Sequence, residues 1–102
     1  MSKRLKPADR KQEILDAALR VASTPGGWGQ LTRANVSVDA DCAEGLVSRY
    51  FGTMAAFKRA IMRAAIASKN LSVVAQGLAA GDPNAQKAPP ELKVLALATL
   101  AN

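Results

Sequence analysis

Apolar and polar residues follow one another along the chain with the spacing of helices rather than of strands. Between residues 9 and 22, the apolar residues Ile14, Leu15, Ala18 and Leu19 recur at helical intervals, while charged residues fill most of the positions between them. This spacing puts the apolar side chains on one face and predicts an amphipathic helix. The same pattern along the rest of the chain predicts six helices in all, at about 9–22, 33–40, 42–51, 54–68, 71–80 and 91–100.

Turn and capping residues mark the breaks between these helices. Residues 23–27 contain Pro25-Gly26-Gly27 and stop the first helix. Trp28 follows and is expected to anchor the next loop on the core. Thr32 is suited to cap the second helix and Thr53 the fourth, because their hydroxyls can accept orphan backbone N–H groups. Asp41 tolerates the left-handed conformation and is the predicted break between the second and third helices.

The composition favours an all-α fold, because 49% of the 102 residues are hydrophobic but only 4% are aromatic, and alanine dominates over β-branched residues. No apolar run approaches the roughly 20 residues that span a bilayer. The basic start leads into a charged segment instead of the apolar stretch of a secretion signal. We therefore expect a cytoplasmic protein with no membrane partner.

The chain has no histidine and one cysteine, Cys42. One copy therefore cannot assemble a zinc cluster, a Cys/His nucleophile or an internal disulfide. Gly26-Gly27 is a turn without the lysine motif of a phosphate-cradling loop. We expect no enzymatic activity, no catalytic residue, no metal and no cofactor, and we interpret Cys42 as a core residue.

The net charge of +6 is concentrated in one part of the chain. Residues 1–69 carry 12 basic and 6 acidic side chains, whereas residues 70–102 carry two of each. Gathered positive charge is typical of proteins that bind nucleic acid, because phosphates attract lysine and arginine at long range. At this point ordinary solubilisation and attraction to a membrane surface are the alternatives.

Helices 33–40 and 42–51 are short and separated only by Asp41, which is the arrangement of a helix-turn-helix. That motif requires small or apolar residues where its helices touch, and these are present: Val36, Ser37, Ala40, Cys42 and Val47. The second helix of a helix-turn-helix lies in the major groove of DNA, and the first crosses the backbone. The spacing therefore predicts a recognition helix at 42–51.

The chain resembles the DNA-binding domain of TetR-family transcriptional repressors over about residues 10–66. The matching positions are Ile14-Leu15-Asp16-Ala17-Ala18, Gly27-Trp28, Leu31-Thr32-Arg33, Val36, Gly45-Leu46-Val47, Arg49-Tyr50-Phe51-Gly52-Thr53 and Phe57. Residues 47–54, 75–78 and 87–89 are also similar to the small KorC-type repressors of broad-host-range plasmids. The resemblance implies a sequence-specific repressor that binds operator DNA, in the KorC-type case without a small-molecule inducer.

Four positions depart from the family pattern. Asp41 replaces the usual turn glycine, Ala43 a helix-capping serine, Ser48 a tyrosine that reaches a phosphate, and Met54 a lysine. Each change removes a customary support, so we expect the docking geometry to differ from that of an average member. Only about thirty residues follow the resembling region, in place of the family's long ligand-binding and dimerisation domain.

Arg49 is the predicted base-reading residue, because a guanidinium can donate two hydrogen bonds to guanine in the major groove. Contact with phosphate alone is the alternative. Ser48 and Glu44 are candidates for further base contacts, although Glu44 also suits the positive end of its own helix dipole. Gly45 either lets the helix approach DNA closely or accommodates packing within the chain.

Thr32, Arg33 and Tyr50 are candidates for phosphate contacts, which set the register on DNA without reading sequence. Tyr50 is equally suited to a half-buried core position. The basic start is suited to an arm that follows the DNA backbone or minor groove. The complete predicted DNA-binding set is Lys3, Arg4, Lys6, Thr32, Arg33, Ala43, Glu44, Gly45, Ser48, Arg49, Tyr50 and Thr53.

The predicted organisation is a basic flexible arm (1–8), a helix-turn-helix DNA-binding domain (9–68) and a helical dimerisation segment (69–102). Helix 91–100 is apolar almost all round and must be covered by something. We therefore expect a homodimer whose C-terminal helices pack against their copies, with two recognition helices on a palindromic operator. One alternative folds this helix back onto its own domain, with monomeric DNA binding. Another is an adaptor that uses the fold to hold a different protein.

Overall fold

The computed structural model describes residues 7–100, and all regular structure in that range is helical. The α-helices of this range are α1 (Pro7–Ser23), α2 (Gly27–Gln30), α3 (Arg33–Ala40), α4 (Glu44–Phe51), α5 (Met54–Ala67), α6 (Leu71–Ala79) and α7 (Pro90–Leu100). One turn of 3₁₀-helix, Ala85–Lys87, lies between α6 and α7. The all-α prediction is confirmed for the described residues. None of their helices is both long enough and apolar enough to cross a bilayer.

Three of the predicted breaks are confirmed in detail. Thr32 forms a capping box with Asn35: each side chain accepts the other residue's backbone N–H, in both cases at 3.0 Å. Asp41 ends α3 in the left-handed conformation, with φ 54° and ψ 53°. Thr53 caps α5 by accepting the N–H of Ala56 at 3.1 Å. Local side-chain chemistry therefore sets the ends of these helices.

Around Trp28 the sequence pattern predicts a loop, whereas the structure has a single helical turn, α2. A four-residue helix is too short for apolar periodicity to reveal it. Gly26 adopts the left-handed conformation with φ 75°, and a Cβ on Gly27 would collide with the carbonyl oxygen of Val21. The two glycines thus allow the chain to turn back tightly on α1. Trp28 is buried, as predicted for an anchor.

Two helices begin at residues other than those predicted. α1 begins at Pro7 instead of residue 9, because proline is well tolerated at the first helical position. α4 begins at Glu44 instead of residue 42, since Ala43 has extended backbone (φ −70°, ψ 140°) and its side chain makes no capping hydrogen bond. Alanine lacks the oxygen that would extend the helix cap.

One hydrophobic core connects all parts of the described chain. Its largest fully buried side chains are Ile14, Val36, Val47, Phe57, Ile61, Met62, Val73 and Val74. α1 packs against α2, α3, α5 and α6. Because Val73 and Val74 of α6 belong to this core, the predicted DNA-binding and dimerisation segments share it.

Gln76 of α6 ties the core to the turn after α1. Its Nε2 donates to the carbonyl of Ala22 at 2.6 Å and lies 3.2 Å from both the carbonyl of Thr24 and the hydroxyl of Ser72. Its Oε1 accepts the backbone N–H of Trp28 at 2.9 Å. One side chain thereby satisfies the backbone where α1 ends and α2 begins, which fixes the start of the segment leading to α3.

α7 packs along α6 of the same chain and buries Leu92 and Ala96. The helix therefore folds back onto its own domain, as in one of the two sequence-based alternatives. Four of its apolar side chains nevertheless remain exposed to solvent: Val94 by 67%, Leu95 by 56%, Leu97 by 48% and Leu100 by 50%. We call these four residues the exposed α7 face.

We expect Gln76→Ala to lower the free energy of unfolding by about 2–3 kcal/mol, because it leaves the Trp28 N–H and the Ala22 carbonyl without their partner. Urea denaturation followed by circular dichroism measures the change. The matched control is Gln86→Ala, at an exposed residue of the 3₁₀ turn, with an expected change within about 0.5 kcal/mol. Equal urea midpoints for the two variants would show that the Gln76 network contributes nothing to stability.

Candidate nucleic-acid interface

α3 and α4 are joined by a tight turn that is closed by backbone hydrogen bonds. The N–H of Cys42 donates to the carbonyl of Ser37 at 3.0 Å, and the N–H of Asp41 donates to that of Val38 at 3.2 Å. Ser37 is buried at the contact, and its hydroxyl is satisfied by the carbonyl of Ala34 at 2.8 Å. The small buried residue predicted at position 37 therefore lets the two helices lie close together.

Packing of α4 fixes which of its sides faces solvent. Val47 and Phe51 are buried, and Leu46 and Tyr50 are half-buried against the same core. The opposite side consists of exposed residues only: Glu44, Gly45, Ser48 and Arg49. We call these four residues the outer face of α4. The four side-chain positions predicted to meet DNA bases are thus brought together on one accessible surface.

Gly45 leaves open space on the outer face of α4. A Cβ built at this position would meet no atom within 4 Å. Packing among the described residues therefore gives no reason for a glycine there, which removes the alternative that Gly45 accommodates a neighbour within this part of the chain. The absence of a side chain does make the surface of α4 lower at its first turn, beside Glu44.

The other predicted contact residues lie at the edges of this surface. Thr32 and Thr53 are exposed, although both hydroxyls also cap helices. Ala43 is exposed at the position just before α4. Tyr50 is half-buried, so it combines core packing with an accessible portion. The predicted arm residues Lys3, Arg4 and Lys6 lie outside the described residues.

Arg33 is placed differently from an exposed phosphate-contacting residue. It is half-buried at the start of α3, and its Nη2 donates to the carbonyl of Gly52 at 3.3 Å. Its Nε is buried and has no hydrogen-bond partner among the described residues. The guanidinium thus reaches across to the turn that follows α4.

Two basic residues of α1 that the sequence pattern did not single out lie beside α4. The ammonium group of Lys11 is 5.4 Å from the centroid of the Phe51 ring. The positive charge of Arg10 lies near enough to Cys42 to influence its thiol. Both residues follow the predicted basic arm directly, and this adjacency was the only signal in the sequence that could have identified them.

Acidic side chains near the interface are partly neutralised within the chain. Asp39 of α3 forms an ion pair with Arg20 of α1, with 2.8 Å between Oδ2 and Nη2. Asp16 accepts a hydrogen bond from Gln12 at 2.9 Å. An exposed pair adds little stability, but it cancels the charge that Asp39 would otherwise present beside DNA.

Cys42 packs against the core at the turn between α3 and α4. Burial raises the pKa of its thiol; the positive charge of Arg10 partly opposes this rise, and the negative charges of Glu13 and Asp41 add to it. A thiol with a raised pKa is poorly nucleophilic at neutral pH. This environment favours the interpretation of Cys42 as a packing residue.

Residues that could hold a metal or cofactor are not grouped in the described range. No three acidic or cysteine side chains there lie close enough together to bind a metal ion. A groove of about 470 Å³ lies between α6, the end of α7 and the turn after α1. Its polar side chains Ser23, Ser72 and Gln76 are already engaged in hydrogen bonds within the chain.

We expect Cys42 to react with iodoacetamide more slowly in the folded protein than in a short peptide spanning residues 38–46. The thiolate is the reactive form, so the raised pKa should move the pH midpoint of the reaction upward in the folded protein. By linkage, the stabilising effect of the protonated thiol is present below the unfolded pKa and is lost as pH rises through the folded pKa. A midpoint equal to or below that of the peptide would identify a reactive thiol.

No protein-family model matches this chain, and comparisons with curated proteins and with solved structures likewise give no match. The likeness to TetR-family repressors therefore rests on the residue pattern quoted above together with the geometry of α3 and α4.

Proposed function

We propose that this protein is a small TetR-like transcriptional repressor that binds double-stranded operator DNA through a helix-turn-helix formed by α3 and α4. The observation that carries the proposal is the outer face of α4, which gathers four exposed residues on one side of a helix held by its other side. Bound to an operator that overlaps a promoter, the protein would block access by the transcription machinery.

The outer face of α4 suits the major groove in shape and chemistry. The groove is about 12 Å wide and admits an α-helix, and Gly45 lowers the surface of α4 where the helix would lie deepest. Arg49 is exposed and can donate two hydrogen bonds to guanine, while Ser48 can bond to a base or a phosphate. Glu44 can accept a hydrogen bond from cytosine and would disfavour other bases.

Positive charge around α4 supports a phosphate-binding role. Arg10 and Lys11 extend from α1 toward the turn and the end of α4, and they continue the basic segment formed by Lys3, Arg4 and Lys6 in sequence. Phosphate contacts by such residues would fix the register of α4 on the duplex. Thr32, Tyr50 and Thr53 at the edges of the surface add neutral hydrogen-bond donors.

The exposed α7 face supports assembly into a homodimer. Its four apolar side chains form one surface at the neutral end of the chain, where two copies meet with little charge repulsion. A second copy would cover this surface through a symmetric contact. The two α4 helices would then face half-sites about one helical turn apart on a palindromic operator. We propose no small-molecule inducer, because the polar groups of the groove beside α7 are used within the chain.

The proposal is tested by titrating a labelled duplex with the protein at several salt concentrations. Log affinity should fall linearly with log salt, by about 0.9 for each phosphate neutralised. Sequences selected from a random duplex pool should be palindromic. A flat salt dependence together with stable co-purification of another protein would contradict DNA binding and favour the adaptor alternative.

Arg49→Ala is expected to lose discrimination between the selected duplex and a scrambled one by about ten-fold, because a bidentate contact with guanine distinguishes bases by about 1–3 kcal/mol. Lys3→Ala should weaken binding to both duplexes alike, since a phosphate contact carries no sequence information. Fluorescence anisotropy measures both affinities. Equal losses on the two duplexes for Arg49→Ala would assign Arg49 to phosphate.

Val94→Glu is expected to convert the homodimer into monomers, because it places charge in the middle of the exposed α7 face. Light scattering should give twice the 10.7 kDa chain mass for the unchanged protein and a single chain mass for the variant. The matched control is Val38→Glu, at a residue of α3 that is 81% exposed, which should leave the mass unchanged. A wild-type mass of one chain would contradict the dimer.

A further inference from the structure

Arg33 joins two parts of the candidate helix-turn-helix that the chain itself does not connect. The turn at Asp41 links the end of α3 to the start of α4. At the opposite ends, the Nη2 of Arg33 in the first turn of α3 donates to the carbonyl of Gly52, the residue that ends α4. The two helices and the Arg33 side chain therefore form the three sides of a closed triangle.

The surroundings of Arg33 are unfavourable for a residue with no structural or functional role. Its Nε is buried and receives no hydrogen-bond acceptor from the described residues. A buried donor without a partner loses its hydration and gains nothing in return. An apolar side chain of similar length would avoid this loss, so the guanidinium must contribute something that an apolar residue could not.

Gly52 presents its carbonyl in a geometry that few other residues allow. Its backbone has φ 76° and ψ −131°, a region that glycine enters without strain. The N–H of Gly52 also donates to the carbonyl of Ser48 at 2.8 Å and closes the last turn of α4. Gly52 is thus bonded on one side to the outer face of α4 and on the other to Arg33.

From this geometry we infer that Arg33 is a positioning residue, which fixes the angle between α3 and α4 through the Gly52 carbonyl instead of binding a phosphate. This inference deepens the proposed function and rests on it where DNA binding is the readout. Without the link, the far end of α4 is held by apolar packing alone, and apolar packing is not directional. Ser48 and Arg49 would then meet the bases with a less defined geometry.

The test compares Arg33→Met, which keeps an unbranched side chain but removes charge and donors, with Arg63→Met at an exposed arginine of α5. Amide hydrogen exchange at Gly52 is measured by NMR in the free protein. Affinities are measured for a labelled duplex of about 30 base pairs carrying the sequence selected by the wild-type protein, and for its scrambled counterpart, across a salt series.

Arg33→Met should exchange the Gly52 amide about ten-fold faster and lose about ten-fold in the ratio of selected to scrambled affinity. Its salt slope should equal that of the wild-type protein, and Arg63→Met should leave both the Gly52 exchange rate and the affinity ratio unchanged. A purely structural loss elsewhere would not combine an unchanged slope with reduced discrimination. Arg33→Gln, whose shorter side chain falls short of the Gly52 carbonyl, is the second variant and has the same expected pattern.

The inference is overturned if the salt slope of Arg33→Met becomes shallower by about 0.9 while Gly52 exchange stays at the wild-type rate, because that pattern assigns Arg33 to phosphate. Failure of the wild-type protein to bind either duplex removes the proposed function instead. In that case the exchange rate at Gly52 decides the inference alone, and an unchanged rate in Arg33→Met refutes it.

Discussion

Burial of Val47 and Phe51 is the interaction on which the candidate interface depends. An isolated helix of eight residues is not stable in water, so α4 exists because these side chains pack on the core, where the ring centroids of Phe51 and Phe57 are 4.7 Å apart. The same packing fixes the rotation of α4 about its axis. With Val47 and Phe51 inward, Ser48 and Arg49 must face solvent, and the surface available to DNA is decided by the apolar residues behind it.

Two local supports of the α3–α4 unit are weaker than they could be. Asp41 holds the left-handed turn conformation at a cost of about 1 kcal/mol that a glycine would avoid, and Ala43 leaves the start of α4 without a side-chain cap, which forgoes about another 1 kcal/mol. The core contacts of Val47 and the link from Arg33 to Gly52 compensate at other points. The unit is therefore held by tertiary contacts at both ends of α4 more than by the chemistry of its turn.

The sequence predicts what local chemistry determines and misses what distant residues determine. Periodicity and capping residues such as Thr32 were sufficient for most helices, and the face of α4 that bears Arg49 followed from the spacing of its apolar residues. The bond between Gln76 and Trp28 joins residues 48 positions apart, and no pattern in the chain points to it. The bond from Arg33 to Gly52 and the position of Lys11 beside α4 are of the same kind. The half of α7 that packs on α6 was equally hidden, because a helix that is apolar all round does not show which side is buried.

The most direct measurement of the central claim is an NMR titration of the ¹⁵N-labelled protein with a duplex of the selected sequence at low salt. The account predicts that the largest chemical-shift changes occur at the amides of Glu44, Gly45, Ser48 and Arg49, with smaller changes around Arg10 and Lys11 and none in the buried part of α6. Binding that leaves the four amides of the outer face of α4 unchanged would contradict the account, because DNA would then be held by a different surface.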